Sequence, residues 1–302
     1  LEIAMLRFGI DLGGSKIELI ALDDAGNECY RQRVTTPQGD YEKTLLAIGG
    51  LVATAETELA TVGRVGIGTP GSISPATGLL RNSNSVCLNG MPLQQDIERI
   101  LARPVRLAND ANCFALSEAI DGAAMDVANV FAVIIGTGCG AGLVIDKKLI
   151  NGPNAISGEW GHNPLPAPSQ EEYAVPNCWC GKSLCVESFL SGPALSADYQ
   201  RVGQQSRSVQ EIVALAVKGD VVAEAVLQTY ELRLAKSLAQ VINILDPHVI
   251  VFGGGLSNMT RLYDNVPSLL SEFVFTDVVQ TELRRPKFGD SSGVRGAARL
   301  WS

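Results

Sequence analysis

A strand, a glycine turn and a returning strand occur twice in this chain, and that recurrence limits the fold more than any other feature. Phe8-Gly9-Ile10-Asp11-Leu12 reads as a short strand, Gly13-Gly14-Ser15-Lys16 as a tight turn, and Ile17 to Leu22 as the return, closed by Asp23-Asp24-Ala25-Gly26. About 120 residues later Val130 to Ile135 runs as a strand, Gly136-Thr137-Gly138-Cys139-Gly140 turns, and Ala141 to Ile145 returns. Repetition at that distance is far above a solenoid period. It predicts two lobes built on the same hairpin core, each presenting a glycine turn to a shared cleft.

The segments between and after the hairpins fit an α/β chain. Leu45, Ile48, Leu51, Val52 and Leu59 give Tyr41 to Leu59 the spacing of an amphipathic helix, and Val65-Gly66-Ile67-Gly68 follows as a buried strand ending at Pro70-Gly71. Val226, Tyr230, Leu234, Leu238, Val241 and Leu245 form a long helical stripe, which belongs to the core. It stops at Asp246-Pro247, and Val249 to Phe252 then reads as a strand opening onto Gly253-Gly254-Gly255. Gly293 to Trp301 is expected to be a short helix packed back on an earlier lobe. No linker or low-complexity segment interrupts the pattern.

With 302 residues, two lobes are the default. A net charge of -8 opposes the basic footprint that nucleic acid requires, so that partner is excluded. No apolar run is long enough for a membrane span, and Leu1 to Leu6 carries Glu2 and lacks the apolar region of a signal peptide. The odd count of 7 cysteines, with Cys29, Cys87, Cys113 and Cys139 scattered singly, argues against a disulfide framework and for a reducing cytoplasm.

Neither glycine turn is a P-loop, because G-x-x-x-x-G-K-[ST] is absent and each turn leads into a strand. Glycines can still gather backbone N–H groups into a concavity for phosphate oxygens, with Ser15 and Thr137 adding hydroxyls; a plain hairpin turn would carry the same residues. Asp11 stands at the lip of the first turn, where a carboxylate can hold the water shell of a Mg2+ on nucleotide phosphates. Asp110, in Asn109-Asp110-Ala111-Asn112, follows the apolar Val105, Leu107 and Ala108. It reads either as a strand-end general base taking a proton from an attacking hydroxyl or as the N-cap of a helix over 111–120.

The third cluster is metallic in character. One of two histidines, His162, precedes Cys178, Cys180 and Cys185. This is the donor set of a tetrahedral Cys3His zinc site, in a segment that Pro176 and Gly181 mark as a loop; ordinary buried thiols are the alternative. Glu159 and Glu187 flank the cluster, and carboxylates held still by a cross-linked loop suit a polyhydroxylated ligand.

Taken together, Asp11 to Lys16, Asn109 to Asn112, Gly136-Thr137-Gly138, Gly158-Glu159-Trp160-Gly161-His162, Cys178 to Glu187 and Gly253 to Gly255 resemble the ROK family of sugar kinases and repressors, from residue 9 to about 296. The resemblance implies a two-lobed, actin-like (ribonuclease H-like) α/β fold with ATP and sugar in the cleft, the small lobe spanning 1–115 with a helix from 291–302, and the large lobe 116–290. It implies that Asp11, Gly13, Gly14, Ser15 and Lys16 form the first phosphate segment, Thr137 and Gly138 the second, and Gly254 and Gly255 the adenosine segment. By the same resemblance Asp110 is the general base, while Asn84, Asn109, Glu159, His162 and Glu187 meet sugar hydroxyls. The resemblance further implies that His162, Cys178, Cys180 and Cys185 hold a structural Zn2+, that ATP and Mg2+ are cofactors, and that the protein is a homodimer.

Two positions depart from the family pattern. Ser15 replaces the usual Thr and keeps the hydroxyl. Leu184 replaces the usual Gly before the last cysteine and would be strained if φ is positive there. Pro70 to Ser74, Asn82 to Ser85, Gly161 to Pro166 and Gly289 to Gly293 look most like the fructokinase branch, so fructose is the expected sugar, with glucose, mannose or N-acetylglucosamine as alternatives. Family repressors carry an N-terminal winged helix, whereas the first hairpin here starts near residue 7. An actin-like ATPase would explain the glycine turns but not the cysteine cluster.

Overall fold

The computed structural model describes residues 6–302, so the reading of residues 1–5 as part of a chain without a signal peptide lies outside the described residues. Contacts divide the chain into two compact units. The first holds the described residues up to Asp126 with Gly142–Ser157 and Lys287–Ser302, and the second holds Val127–Ala141 and Gly158–Pro286.

The first hairpin is β1 (Arg7–Leu12) and β2 (Lys16–Leu22), extended by β3 (Glu28–Thr35). α1 (Tyr41–Leu59) begins where the Asp40 side chain accepts from the Lys43 amide and ends at Ala60 in left-handed conformation. Then come β4 (Arg64–Thr69), a small ladder of β5 (Ser72–Ile73) with β6 (Leu80–Arg81), α2 (Leu93–Leu101), β7 (Val105–Asn109) and α3 (Asp110–Ile120). The sheet order is β3-β2-β1-β4-β7; β1, β2 and β3 pair antiparallel, and β1, β4 and β7 parallel. Parallel neighbours put Asp11, Gly68 and Ala108 in register, so the ends of β1, β4 and β7 open on one side. In parallel sheets that is the edge where ligands bind.

β8 (Asn129–Ile135) and β9 (Cys139–Ile145) make the second hairpin, followed by β10 (Lys148–Leu149). The helices α4 (Glu187–Leu190), α5 (Gly192–Gly203), α6 (Val209–Val217) and α7 (Val221–Leu245) lead to β11 (Val249–Gly253), α8 (Thr260–Leu270) and β12 (Glu282–Arg284). The order β10-β9-β8-β11-β12 repeats that of the first sheet, again with a hairpin on one side and parallel strands on the other. The predicted duplication is therefore one of sheet topology as well as of turns.

α9 (Ser292–Arg299) closes the first unit. Cβ atoms added at Gly9 and Gly66 would strike the Val294 and Ala297 carbonyls, so glycine lets the helix lie directly on β1 and β4. The unit boundaries differ from those expected. Residues 116–120 complete α3, which packs on α9, with 121–126 following directly, and Gly142 lies against Ala111 and Ala115, so both stretches join the first unit instead of the second. Among the described residues no helix is long and apolar enough to cross a membrane.

Candidate active site

The candidate residues divide between the units. In the first unit, the Gly13 amide donates to the Lys16 carbonyl at 3.0 Å, which makes the turn a closed hairpin and uses the amide the phosphate reading assigned to Gly13. Thr36 Oγ1 donates to the Gly13 carbonyl at 2.7 Å, Gln38 Nε2 to Gly14 O at 3.1 Å, and the Thr36 amide to Ser15 O at 3.0 Å. Three carbonyls are thereby bound to protein donors, which reduces their repulsion toward an anion at the turn. Lys16 is exposed, and its ammonium lies 3.9 Å from Glu18. Asn84 is exposed on the rim of a cavity of about 450 Å3 lined also by Leu12, Gly14, Thr36 and Cys87.

β7 delivers Asn109 and Asp110 to the same edge. Asn109 is the helix cap: its Oδ1 accepts from the Ala111 amide at 2.9 Å and its Nδ2 donates to Gly71 O at 3.2 Å. The N-cap role therefore falls one residue earlier than the alternative reading of Asp110, which is the first helical residue, with Oδ1 also accepting from Ala111 N at 2.8 Å. The Asp110 side chain is open to solvent, yet dense protein around it excludes enough water to raise its pKa; hydrogen bonds from the helix start oppose that shift. Burial raises Asp11 to about 6, with Asp110 and Glu18 adding like-charge repulsion and Lys16 opposing it. Burial thus disfavours charge on both carboxyls of this sheet edge, and the Asp110 carboxylate adds to that at Asp11, an arrangement that suits a cation and a proton acceptor.

In the second unit, the Gly136 amide donates to Gly138 O at 3.0 Å, and Glu187 Oε2 accepts from the Cys139 amide at 2.8 Å. A Cβ at Gly138 would come within 2.6 Å of that carboxylate oxygen, so the glycine admits Glu187 to the turn. Thr137 is exposed beside it. At the third turn Gly254 has φ +80°, and a Cβ there would meet the Ile135 carbonyl, which sets Gly254 and Gly255 against the end of β8.

His162, Cys178, Cys180 and Cys185 converge, their ligand atoms all within 4.8 Å of one another. Cys178 Sγ lies 3.7 Å from His162 Nδ1, and Cys180 Sγ 3.6 Å from Cys185 Sγ. A tetrahedron with zinc–sulfur bonds of about 2.3 Å has edges of about 3.7 Å, so this donor set fits zinc. The loop is knit by Leu165 N to Leu184 O at 2.7 Å, Val186 N to Asn163 O at 2.9 Å and Cys178 N to Lys182 O at 2.9 Å. Leu184 has φ +58°, so the strain expected of a residue replacing glycine is present. Arg233 of α7 ties Glu172, upstream of the cysteines, at 2.6 Å and also pairs with Asp198 of α5. Glu159 is exposed, and its carbonyl accepts from the His162 amide at 3.2 Å.

One participant was not anticipated. Trp179 Nε1 donates to Glu187 Oε1 at 2.6 Å, and its ring stands edge-on to the His162 imidazole. Its position between two cysteines of the candidate metal cluster was the only signal in the sequence.

The ROK family profile matches residues 7–302. N-acetyl-D-glucosamine kinase of Pasteurella multocida (strain Pm70) is 38% identical over 301 residues, spanning 98% of this chain and 99% of that protein. Among solved structures, the ROK hexokinase from Thermus thermophilus superposes with a TM-score of 0.87 at 29% identity over 97% of both chains. A ROK family glucokinase from Streptomyces griseus, solved with glucose and AMPPNP, gives 0.75 at 26% identity over 98% of both.

Proposed function

Since the chain belongs to the ROK family, we propose that it transfers the γ-phosphoryl group of ATP to a hexose hydroxyl, with fructose converted to fructose 6-phosphate. The observation that carries the kinase reading is Asp110: a solvent-open carboxyl with raised basicity at the sheet edge that also holds Asp11. Its carboxylate takes the hydroxyl proton as the sugar oxygen forms its bond to phosphorus, and the bond to the leaving ADP oxygen breaks. Asp11 would hold Mg2+, which when bound supplies charge neutralisation at the phosphates, and the segments at Gly13 to Lys16, Thr137 to Gly138 and Gly254 to Gly255 would receive the nucleotide. Asn84, Asn109, Glu159, His162 and Glu187 bind sugar hydroxyls. His162, Cys178, Cys180 and Cys185 would hold zinc, which when bound cross-links the loop. With Nδ1 toward the cysteines, Nε2 of His162 is left to hydrogen-bond the sugar.

Fructose rests on the four segments resembling the fructokinase branch. N-acetyl-D-glucosamine is the second reading, favoured by relatives of that name at 36–39% identity. Family core motifs are common to both, and a few kcal/mol in the sugar pocket separates hexoses, so the choice falls to assay. A coupled ADP-release assay over fructose, mannose, glucose and N-acetylglucosamine should give the highest kcat/KM with fructose. A maximum at N-acetylglucosamine would replace the first reading by the second, and sugar binding without ADP release would indicate a sugar-sensing regulator. The implied homodimer is tested by light scattering.

A further inference from the structure

Glu187 sits two residues beyond the last cysteine of the cluster, so a metal at His162, Cys178, Cys180 and Cys185 fixes its backbone and leaves its carboxylate free to turn. Two donors restrain that carboxylate: the Cys139 amide on Oε2 at 2.8 Å and the Trp179 indole N–H on Oε1 at 2.6 Å. The Cys178 thiol also reaches Oε1 at 3.8 Å, but a cysteine that binds metal is a thiolate with no proton to donate, which leaves Oε1 to the indole. Trp179 also meets His162 edge to face, with ring centroids 5.2 Å apart and planes at 79°, a favourable aromatic geometry that limits rotation of the imidazole. One side chain therefore touches both His162 and Glu187.

Packing does not account for this tryptophan. Trp160 is 4% exposed with its N–H on Gly140 O, and Trp301 is half-buried with its N–H on Val65 O, whereas Trp179 is 69% exposed. An indole kept at the surface on a loop tip, with its donor aimed at a carboxylate, contributes orientation in place of core. Each Glu187 oxygen accepts one protein hydrogen bond and keeps a lone pair for a ligand hydroxyl.

We propose that Trp179 is a positioning residue for the sugar, holding Glu187 through its indole N–H and His162 through its ring edge. This rests on the reading that those two residues contact sugar. Trp179→Phe keeps the ring and deletes the donor; Trp179→Ala deletes both; Glu187→Gln checks the underlying reading. Sugar and ATP kinetics, zinc content and tryptophan emission are measured for each. Trp179→Phe should raise KM for sugar about tenfold, consistent with loss of one hydrogen bond to a charged group, with KM for ATP within twofold and zinc unchanged at about one per chain. Trp179→Ala should raise sugar KM further. Wild-type emission should shift on adding sugar, and that shift should vanish in Trp179→Phe, since Trp160 is buried and the half-buried Trp301 is tied to the Val65 carbonyl. Unchanged sugar KM in Trp179→Phe while Glu187→Gln raises it would overturn the inference alone. Unchanged KM in both would remove the assignment of Glu187 beneath it, and loss of zinc with equal loss of both affinities would make Trp179 a support of the metal loop.

Discussion

Asp11 gives the sharpest test of the charge arrangement on the first sheet edge. Its pKa stands at about 6 in the folded protein against an ordinary 3.8, first through burial and then through Asp110 and Glu18. A folded-state value above the unfolded one means that the native state binds this proton more tightly. The associated stability is present below about 3.8 and lost as pH rises through about 6. At 1.36 kcal/mol per pH unit, the ionised carboxylate costs at most about 3 kcal/mol at pH 7.5. Asp11→Asn preserves shape and removes the charge. In urea titrations without added Mg2+, it should be more stable than wild type by roughly 1–3 kcal/mol at pH 7.5, and the difference should close toward pH 4. Mg2+ with ATP should stabilise the wild type more than the variant, as expected if the destabilising charge serves the cation. A variant no more stable than wild type at pH 7.5, or a gap independent of pH, would refute the reasoning.

Three further outcomes follow from the second unit. Leu184→Gly relieves a left-handed residue at φ +58° and should raise stability by about 0.5–1 kcal/mol, read as a higher melting temperature with zinc retained. Cys180→Ser removes one of four ligands, so metal analysis should show zinc lost, and KM for sugar should rise strongly while KM for ATP changes little. Gly138→Ala places a methyl 2.6 Å from Glu187 Oε2, a movable side-chain end; the protein should fold, and sugar KM should rise several-fold as Glu187 leaves the Cys139 amide.

Much of the frame was legible because its signals are local. α1 runs from Tyr41 to Leu59 as its apolar spacing predicts, since the Asp40 cap and apolar stripe agree. α7 extends the predicted stripe back to Val221 and stops before Asp246-Pro247, and the two hairpins lie where alternation and glycine turns place them. β3 escaped notice because it is the sheet's outer strand, with charged Arg31 and Arg33 and no buried residue to mark an inward face. The unit boundaries were unreadable for another reason: Gly142–Ser157 belongs to the first unit through contacts with α3, which no composition shift announces. In the candidate site, residue types in the sequence identified the convergence of His162 with Cys178, Cys180 and Cys185, but not the bonds Glu187 makes to the Cys139 amide and to Trp179. Those depend on how a loop with four cross-linking donors closes. Asn109 and Asp110 show the finer limit, since either side chain can cap a helix and only the backbone decides which does.

In the proposed reaction Asp110 accepts the sugar proton as ATP phosphorylates the hydroxyl. Asp110→Asn should be compared with wild type for ADP release and for sugar binding by calorimetry, with the fold checked by circular dichroism. Sugar affinity should be unchanged and kcat lowered by about 10^2 to 10^4. A folded Asp110→Asn protein that turns over fructose or N-acetylglucosamine at near wild-type rate would contradict it.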